Sequence, residues 1–312
     1  MSLAVNGNLY GAGNGVDGYK TVAKFIPDVW SGKLAVKYYL ATCMSEITNN
    51  DWEGEIKDQG DKVIIRSTPS ITINNYTKGL TLSSEVPSST PIELLIDQGK
   101  YFQVVVDDVD AVQSDIKLMN NFTDDASQQM KIAIERDVFA AVFADAAASN
   151  KGATAGAISA NIDLGIAGAP VAITKTNVLD HIINMGLVLD ENNVPETGRW
   201  LILPASVIAR IKQSDLKNTY MTGDSTSPLR NGKVGTIDRF TLFSSNNLHI
   251  DAGGKFNIMA GTKDAISWAA QITKMETLRS QSTFGDLVRG LNVYGYKVTK
   301  PEALVHSVVT VA

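Results

Sequence analysis

The chain has 312 residues, 28 Lys and Arg against 33 Asp and Glu, a formal net charge of -5 and 44% hydrophobic residues; its pI is near 5.3 and its mean hydropathy -0.01. That is globular composition, long enough for one large domain or two medium ones, and the acidic balance argues against a protein that grips nucleic acid by neutralising phosphates. Cys43 is the only cysteine, so an internal disulfide and a cysteine-rich zinc site are both excluded.

The N-terminus lacks the positive start and apolar core of a secretory signal. The most apolar stretch, Gly152 to Ile173, is mostly Ala and Gly and is broken by Asn161 and Asp163, short of a membrane span. The expectation is a cytosolic, non-membrane protein. Residues 1–25 are rich in Gly and Asn with few apolar anchors and predict an extended arm. Pro27 to Ile47 predicts a short amphipathic helix, with Trp30, Leu34, Tyr38 and Ala41 on one face.

From Trp52 to Asp107 the pattern turns to β-branched residues and alternation. Lys62–Arg66, Ser70–Asn74, Ile92–Ile96 and Tyr101–Val106 predict strands, with turns at Asp58–Asp61 and Gln98-Gly99. Asn75 to Pro91 is polar, with too few apolar residues for a core, and reads as a projecting loop or ribbon. Ser114 to Ala148 predicts an almost unbroken helix with Leu118, Phe122, Met130, Ala133, Ile134, Val138 and Val142 in one stripe and an internal N-cap at Thr123. Its second part alone, from Thr123, would extend ~39 Å.

Beyond Asn150 an α/β alternation begins. A helix is expected with Leu179, Ile182, Ile183, Gly186 and Leu187 facing the core, then a strand at Trp200–Leu203 and a helix opened by Pro204 that buries Val207, Ile208 and Ile211. Asp215 to Gly235 lacks periodicity and is longer than a compact domain tolerates without a functional reason. Phe240–Ser244, Phe256–Met259, Ala265–Ile272, Leu291–Val298 and Leu304–Val311 predict strands that must pair non-locally.

Little here assembles a reactive centre. Gly13-Asn-Gly15-Val-Asp-Gly18 matches GxGxxG but has no preceding strand to aim it at a pyrophosphate. Asp107, Asp108 and Asp110 read as carboxylates favouring a helix start, with an oxygen-ligand cation site as the alternative. His181, His249 and His306 fall in a helix, a loop and a strand without metal-ligand spacing. Cys43 reads as a small buried hydrophobe, and Glu135 and Asp137 point to different helix faces. No cofactor, metal or catalytic residue is expected. An arm and a ribbon that cannot bury their own surface are stable when they lie on a neighbouring copy.

Six stretches carry a family resemblance. They are Ile26–Trp30; Trp52–Ile56 with Gly60–Val63; Ile96–Phe102 running on to Asp107–Gln113; Asn193–Trp200; Leu229–Gly235 with Ser244–Leu248; and Phe284–Gly295 ending in Lys300–Ala303. In this order the chain resembles the major capsid protein of tailed bacteriophages, from about Phe25 to Val311. The resemblance implies an α+β, Hong Kong 97-like capsid fold. Its parts would be an N-terminal arm with a short helix (1–50), an extended β loop with associated strands (51–107), the long spine helix of a peripheral domain (108–150), an axial α/β domain (151–260), and strands completing both domains (261–312).

It also implies hexamers and pentamers of identical subunits closing an icosahedral shell around double-stranded DNA, assembled in the host cytoplasm. Tyr76, Lys78 and Glu85 in the extended loop, and Tyr220, Arg230 and Asn231 in the 215–235 loop, are the expected subunit contacts. The chain has no room for a hundred-residue scaffolding segment ahead of the arm, so it resembles members that use a separate scaffolding protein or that are processed before the mature form; a separate scaffolding protein and a portal are the expected partners. The Lys, Asn and carboxylate of the isopeptide crosslink found in some members cannot be aligned, and none is carried over. An acidic chain suits a wall that holds DNA without adhering to it. The competing readings are an encapsulin-like compartment, a cytosolic α/β enzyme with an unrecognised site, and a phage tail or decoration protein.

Overall fold

The computed structural model describes residues 42–51, 62–66, 69, 71–81, 84–89, 91–108, 118–214, 235–280 and 284–312, with the backbone alone for 118–121 and 271–273. The expected arm, most of the Pro27–Ile47 helix, the Asp58–Asp61 turn, the GxGxxG match, Asp110 and residues 215–234 lie outside these.

Three sheets organise the described residues. The smallest pairs β1 (Lys62–Arg66) with β2 (Pro91–Leu95), antiparallel. β1 alternates as its sequence predicts, Val63 and Ile65 pointing inward. With Leu94 and Ile96 they close on Ala269 as a small separate core. The second sheet runs in the order β10 (Ile266–Arg279), β11 (Gly285–Val298), β3 (Gln98–Asp107), antiparallel throughout. β3 thus pairs with a strand almost two hundred residues further on, the non-local closure expected. Gln98-Gly99 is not a turn; it opens β3, opposite Tyr294 and Val293.

The third sheet has seven strands: β4 (Val171–Ile173), β12 (Leu304–Val311), β9 (Lys255–Thr262), β5 (Arg199–Leu203), β7 (Phe240–Ser244) and β6 (Thr236–Ile237) in order, with β8 (Ile250–Asp251) on β9. All five residues of β5 are buried, as a strand covered on both faces must be.

Four α-helices accompany the sheets among the described residues. α1 (Met44–Ile47) has four residues. After it, Asn49 stitches the chain to β10: its N–H donates to Ile266 O at 2.8 Å and its carbonyl accepts from Trp268 N–H at 2.9 Å. α2 (Leu118–Val142) has 25 residues, about 37 Å, and lies along β3 and β11. It runs through Thr123 without the break an internal cap would make, and it yields at Phe143–Asp145 to a 3-10 turn, short of Ala148. Ile134, Val138, Phe139 and Val142 are buried, while Phe122 near its start is exposed. Among the described side chains the apolar stripe is therefore covered along the second half.

α3 (Val178–Glu191) buries Val178, Ile182, Met185 and Leu189. Of the expected face, Ile182 and Gly186 are buried and Leu179 packs against the core, while Ile183 and Leu187 are turned to solvent. Both stripes are apolar, and the sheet beneath selects between them. α4 (Ala205–Gln213) starts after Pro204 and buries Val207, Ile208 and Ile211, as predicted. The C-terminal end of α3 is held by Arg199, whose fully buried guanidinium pairs with Asp190 at 2.7 Å and donates to the carbonyls of Val194 at 2.6 Å and Pro195 at 2.9 Å. The cation thus binds the carboxylate in the last turn of α3 and the carbonyls of the segment that follows it. Asp190 also takes Arg239 at 2.9 Å, from the two-residue turn between β6 and β7.

Candidate assembly surfaces

Groups that could serve chemistry are instead spent on structure. His181 Nε2 lies 2.9 Å from Ser307 Oγ, and that hydroxyl donates to Leu164 O at 2.7 Å. The imidazole must therefore donate through Nε2. His306 is set the same way: Asn257 gives its amide N–H to His249 O, leaving Oδ1 to accept from His306 Nε2 at 2.9 Å. Burial depresses both rings to a pKa of about 4, opposed at His181 by the Asp163 charge and aided at His306 by Lys151. Both are neutral at pH 7.

Glu135, 1% exposed, accepts the backbone N–H of Cys43 at 2.9 Å, the Ser245 hydroxyl at 3.1 Å and the Asn247 amide at 3.2 Å. Cys43 is buried, and that burial, with the adjoining Glu135 carboxylate, pushes its thiol far up, the state of an inert cysteine. Glu135 and Asp137 do diverge, Asp137 reaching out to Lys100. Asp108, with Asp286, pairs with Arg279 across the ends of the second sheet, and these hydrogen bonds raise the guanidinium's pKa. Among the described residues no cluster of three or more metal-ligating side chains occurs, and no helix is long and apolar enough to cross a membrane.

Unburied apolar surface is what remains to be explained. The first such surface is the segment between β1 and β2. Ser70–Asn74 is expected as a strand, but residues 71–76 belong to no strand and have no strand partner among the described residues. Ile71, Tyr76 and Leu80 are exposed, and Ile73 and Val86 are each 90% exposed. A turn at Thr77–Leu80 reverses the chain, with Leu80 N–H on Thr77 O at 3.1 Å and Gly79 at φ +89°. Glu85 then reaches back to accept Thr72 N–H at 3.1 Å, tying one limb to the other. Tyr76, Lys78 and Glu85 therefore share one solvent-exposed projection. Tyr220, Arg230 and Asn231 lie outside the described residues.

The second surface escaped the sequence reading. Strand pairing sets three cross-strand rows on one face of the second sheet: Tyr101, Leu291 and Lys274; Gln103, Arg289 and Glu276; Val105, Leu287 and Leu278. The opposite face carries Phe102, Val104, Val106 and Val288, more deeply buried. On the open face Tyr101 is 79% exposed, and Val105, Leu278 and Leu291 are exposed too. Between the apolar rows Arg289 pairs with Glu276 at 2.6 Å. Hydrogen bonds from Lys274 and Arg289 hold the Glu276 carboxyl below its usual range. A groove of about 370 Å³ runs past Tyr101, Leu291 and this ion pair. The available signal was β3 itself: Tyr-Phe-Gln-Val-Val-Val is apolar at both parities, as in a strand whose two faces are both to be covered.

Known proteins agree with this architecture. The family described as phage capsid protein matches residues 92–307. A solved chain of Mycobacterium phage Che8 is similar over 90% of this chain and 96% of its own, with 27% identity and a TM-score of 0.76. The capsid structure of cyanophage P-SCSP1u (14% identity, TM-score 0.69, 93% and 94% covered) and the mature capsid of bacteriophage PhiM1 (13%, 0.63, 92% and 92%) share the fold. No curated protein matches the chain in sequence. The chain belongs to the phage capsid protein family and has the Hong Kong 97-like fold of tailed-bacteriophage major capsid proteins.

Proposed function

We propose that copies of this chain join as hexamers and pentamers into the icosahedral head of a tailed phage, enclosing double-stranded DNA. The chain acts as a structural capsid protein; this finer reading adds the capsomers, the cargo and the absence of enzymatic activity. The division into arm, extended loop, spine-helix domain, axial domain and closing strands, with the boundaries given above, is part of it.

One observation carries the reading. The segment at 71–89 leaves Ile71, Ile73, Tyr76, Leu80 and Val86 in water, although burying such a side chain is worth about 1.5–3 kcal/mol. An isolated subunit gains nothing from that exposure, whereas a neighbour covering it recovers the energy. Tyr76, Lys78 and Glu85 are then contacts with the adjacent subunit, and Tyr220, Arg230 and Asn231 contacts nearer the capsomer centre. A separate scaffolding protein and a portal complete the partners, and assembly takes place in the host cytoplasm. The net charge of -5 favours a wall that confines DNA without tight phosphate contacts.

Negative-stain microscopy and light scattering on the full chain, with and without co-expressed scaffolding protein, test this. Closed shells are expected. Compact monomers under every condition would sink the proposal. Deleting residues 75–89 should leave a folded subunit that fails to close shells, whereas global unfolding would place that span in the core. Tight, salt-sensitive binding of DNA by assembled shells would contradict the account of the wall.

A further inference from the structure

Residues 152–170 join the end of the α2 region to β4. They carry a single charged side chain, Asp163, in nineteen positions of a chain that is 20% charged overall. So apolar a stretch would ordinarily be buried, yet much of this one lies at the surface.

It is also firmly held. Ala155 and Ile162 exchange both backbone hydrogen bonds, at 2.8 and 3.0 Å, closing one tight loop; Ile166 and Ala169 exchange both, at 3.1 and 3.0 Å, closing a second. Ala155, Ile162 and Leu164 are buried beneath as roots. Leu164 O is fixed to β12 by Val308 N–H at 2.9 Å and by Ser307 Oγ at 2.7 Å. The tip of the first loop is pinned as well: Glu191 Oε2 accepts Ile158 N–H at 2.8 Å and Ser159 N–H at 3.1 Å. Gly156 at φ +108° admits that carboxylate, since a Cβ there would lie 2.8 Å from it. Ala160, at φ +48°, takes a left-handed conformation unfavourable to a residue with a side chain. The product of this fixing is Ile158, held at the tip and 80% exposed. Ile166 is exposed on the second loop.

An exposed isoleucine alone is ordinary. One displayed on a loop whose ordering cost is already met, by a carboxylate and at the expense of backbone strain, is a preorganised contact. We infer that loop 152–170 is a docking surface for a second copy of this chain, with Ile158 as its anchor. Copies of a chain at net charge -5 repel one another, and they approach at least cost where neither brings a charge to the contact. This loop brings few charges, and each is held to backbone: Asp163 by Gly165 N–H at 2.9 Å, Glu191 by the first loop, and Lys255, whose ammonium donates to Ala167 O on the second. The inference rests on the assembly reading and adds to it a surface outside the extended loop.

Ile158→Cys in the full chain provides the test. Cys43 is buried and unreactive, so maleimide labelling reports position 158 alone. Shells are separated from free subunits by sedimentation, and each fraction is labelled under the same conditions. At least a tenfold slower reaction in shells is expected. Equal rates overturn the inference while leaving shell formation intact. Protection that requires scaffolding protein and vanishes on its removal also overturns it, because the cover is then another protein. As a second variant, Ile158→Lys should melt with wild type but need at least a tenfold higher concentration to assemble. Assembly at the wild-type concentration would count against an anchor role. If the wild-type chain forms no shell at all, the assembly reading fails first and this inference falls with it.

Discussion

Glu135, in the second half of α2, accepts the backbone N–H of Cys43 at 2.9 Å, joining the chain just before α1 to the long helix. Ser245 and Asn247, which follow β7, donate to the same carboxylate. One buried side chain thus ties together α2, the segment leading into α1 and the seven-stranded sheet. Glu135→Ala would take this acceptor from three buried donors, and a buried group that loses its partner costs about 1–3 kcal/mol. A loss on the order of 3 kcal/mol or more is expected from urea unfolding. Glu135→Gln keeps one acceptor but turns an NH2 towards groups that donate, and should lose roughly 1–2 kcal/mol. Equal stability of all three proteins would show that the junction contributes nothing.

His181 and His306 predict a pH dependence. In the unfolded chain an imidazole takes its proton near 6.5; in the folded subunit burial defers this to about 4. The unfolded state therefore binds more protons between these values, so stability is full above 6.5, declines as the pH falls towards 4, and then levels off. Each ring contributes at most on the order of 3 kcal/mol to that decline. His306→Gln retains a donor for Asn257 and cannot titrate. Its unfolding free energy, measured at pH 7.5 and 4.5, should change less than that of the wild type. An equal change would mean that His306 does not titrate as its burial demands.

Much of the fold was legible because it is locally encoded. Val63 and Ile65 alternate, Pro204 opens α4, and Val207, Ile208 and Ile211 recur at helical spacing. What misled was pattern without its partner. Ile71-Thr-Ile73 has the alternation of a strand, yet no strand among the described residues takes its backbone. On α3 two apolar stripes compete, and only packing distinguishes Met185 from Leu187. Of the candidate surfaces, Tyr76, Lys78 and Glu85 could be picked out because they lie on one continuous polar span. The row of Tyr101, Leu291 and Lys274 could not, because pairing β3 with β11 and β11 with β10 is what creates it.

The turn between β6 and β7 sets backbone strain against ion pairing. Asp238 and Arg239 both have positive φ, 44° and 68°, the geometry that a two-residue hairpin turn fills best with Asn-Gly. Arg239 nevertheless bridges Asp190 at 2.9 Å and Glu196 at 2.8 Å. Arg239→Ala removes the ion pairs and keeps the strain, whereas Arg239→Gly removes both. The glycine variant should therefore melt above the alanine variant. The reverse order in thermal denaturation would mean that the left-handed backbone at 239 carries no cost. Asp190 adds a pH signature: burial works to raise its carboxyl, but hydrogen bonds and charge from Arg199 and Arg239 prevail and hold it below its usual 3.8. Its contribution is present at neutral pH and fades as the pH falls through that lowered value, so the stability gap between wild type and Asp190→Asn should narrow in acid.

Two glycines of β11 differ in what stands over them. At Gly290 a Cβ would meet the ring of Phe102 at 2.3 Å, a side chain that can turn aside. At Gly295 it would meet the carbonyl oxygen of Leu95 at 1.9 Å and the Ile96 Cα at 3.0 Å, main-chain atoms of the last residue of β2 and the one after it. β2 can lie against β11 only because position 295 has no side chain, and that contact fixes the two-stranded sheet on the three-stranded one. Overpacking a well-packed site costs typically about 1–3 kcal/mol. Gly295→Ala should reach or exceed the top of that range, because backbone must move, and Gly290→Ala should fall near the bottom. Denaturant midpoints of the two variants decide it, and equal losses would show that β2 is not seated on β11 through the gap at Gly295.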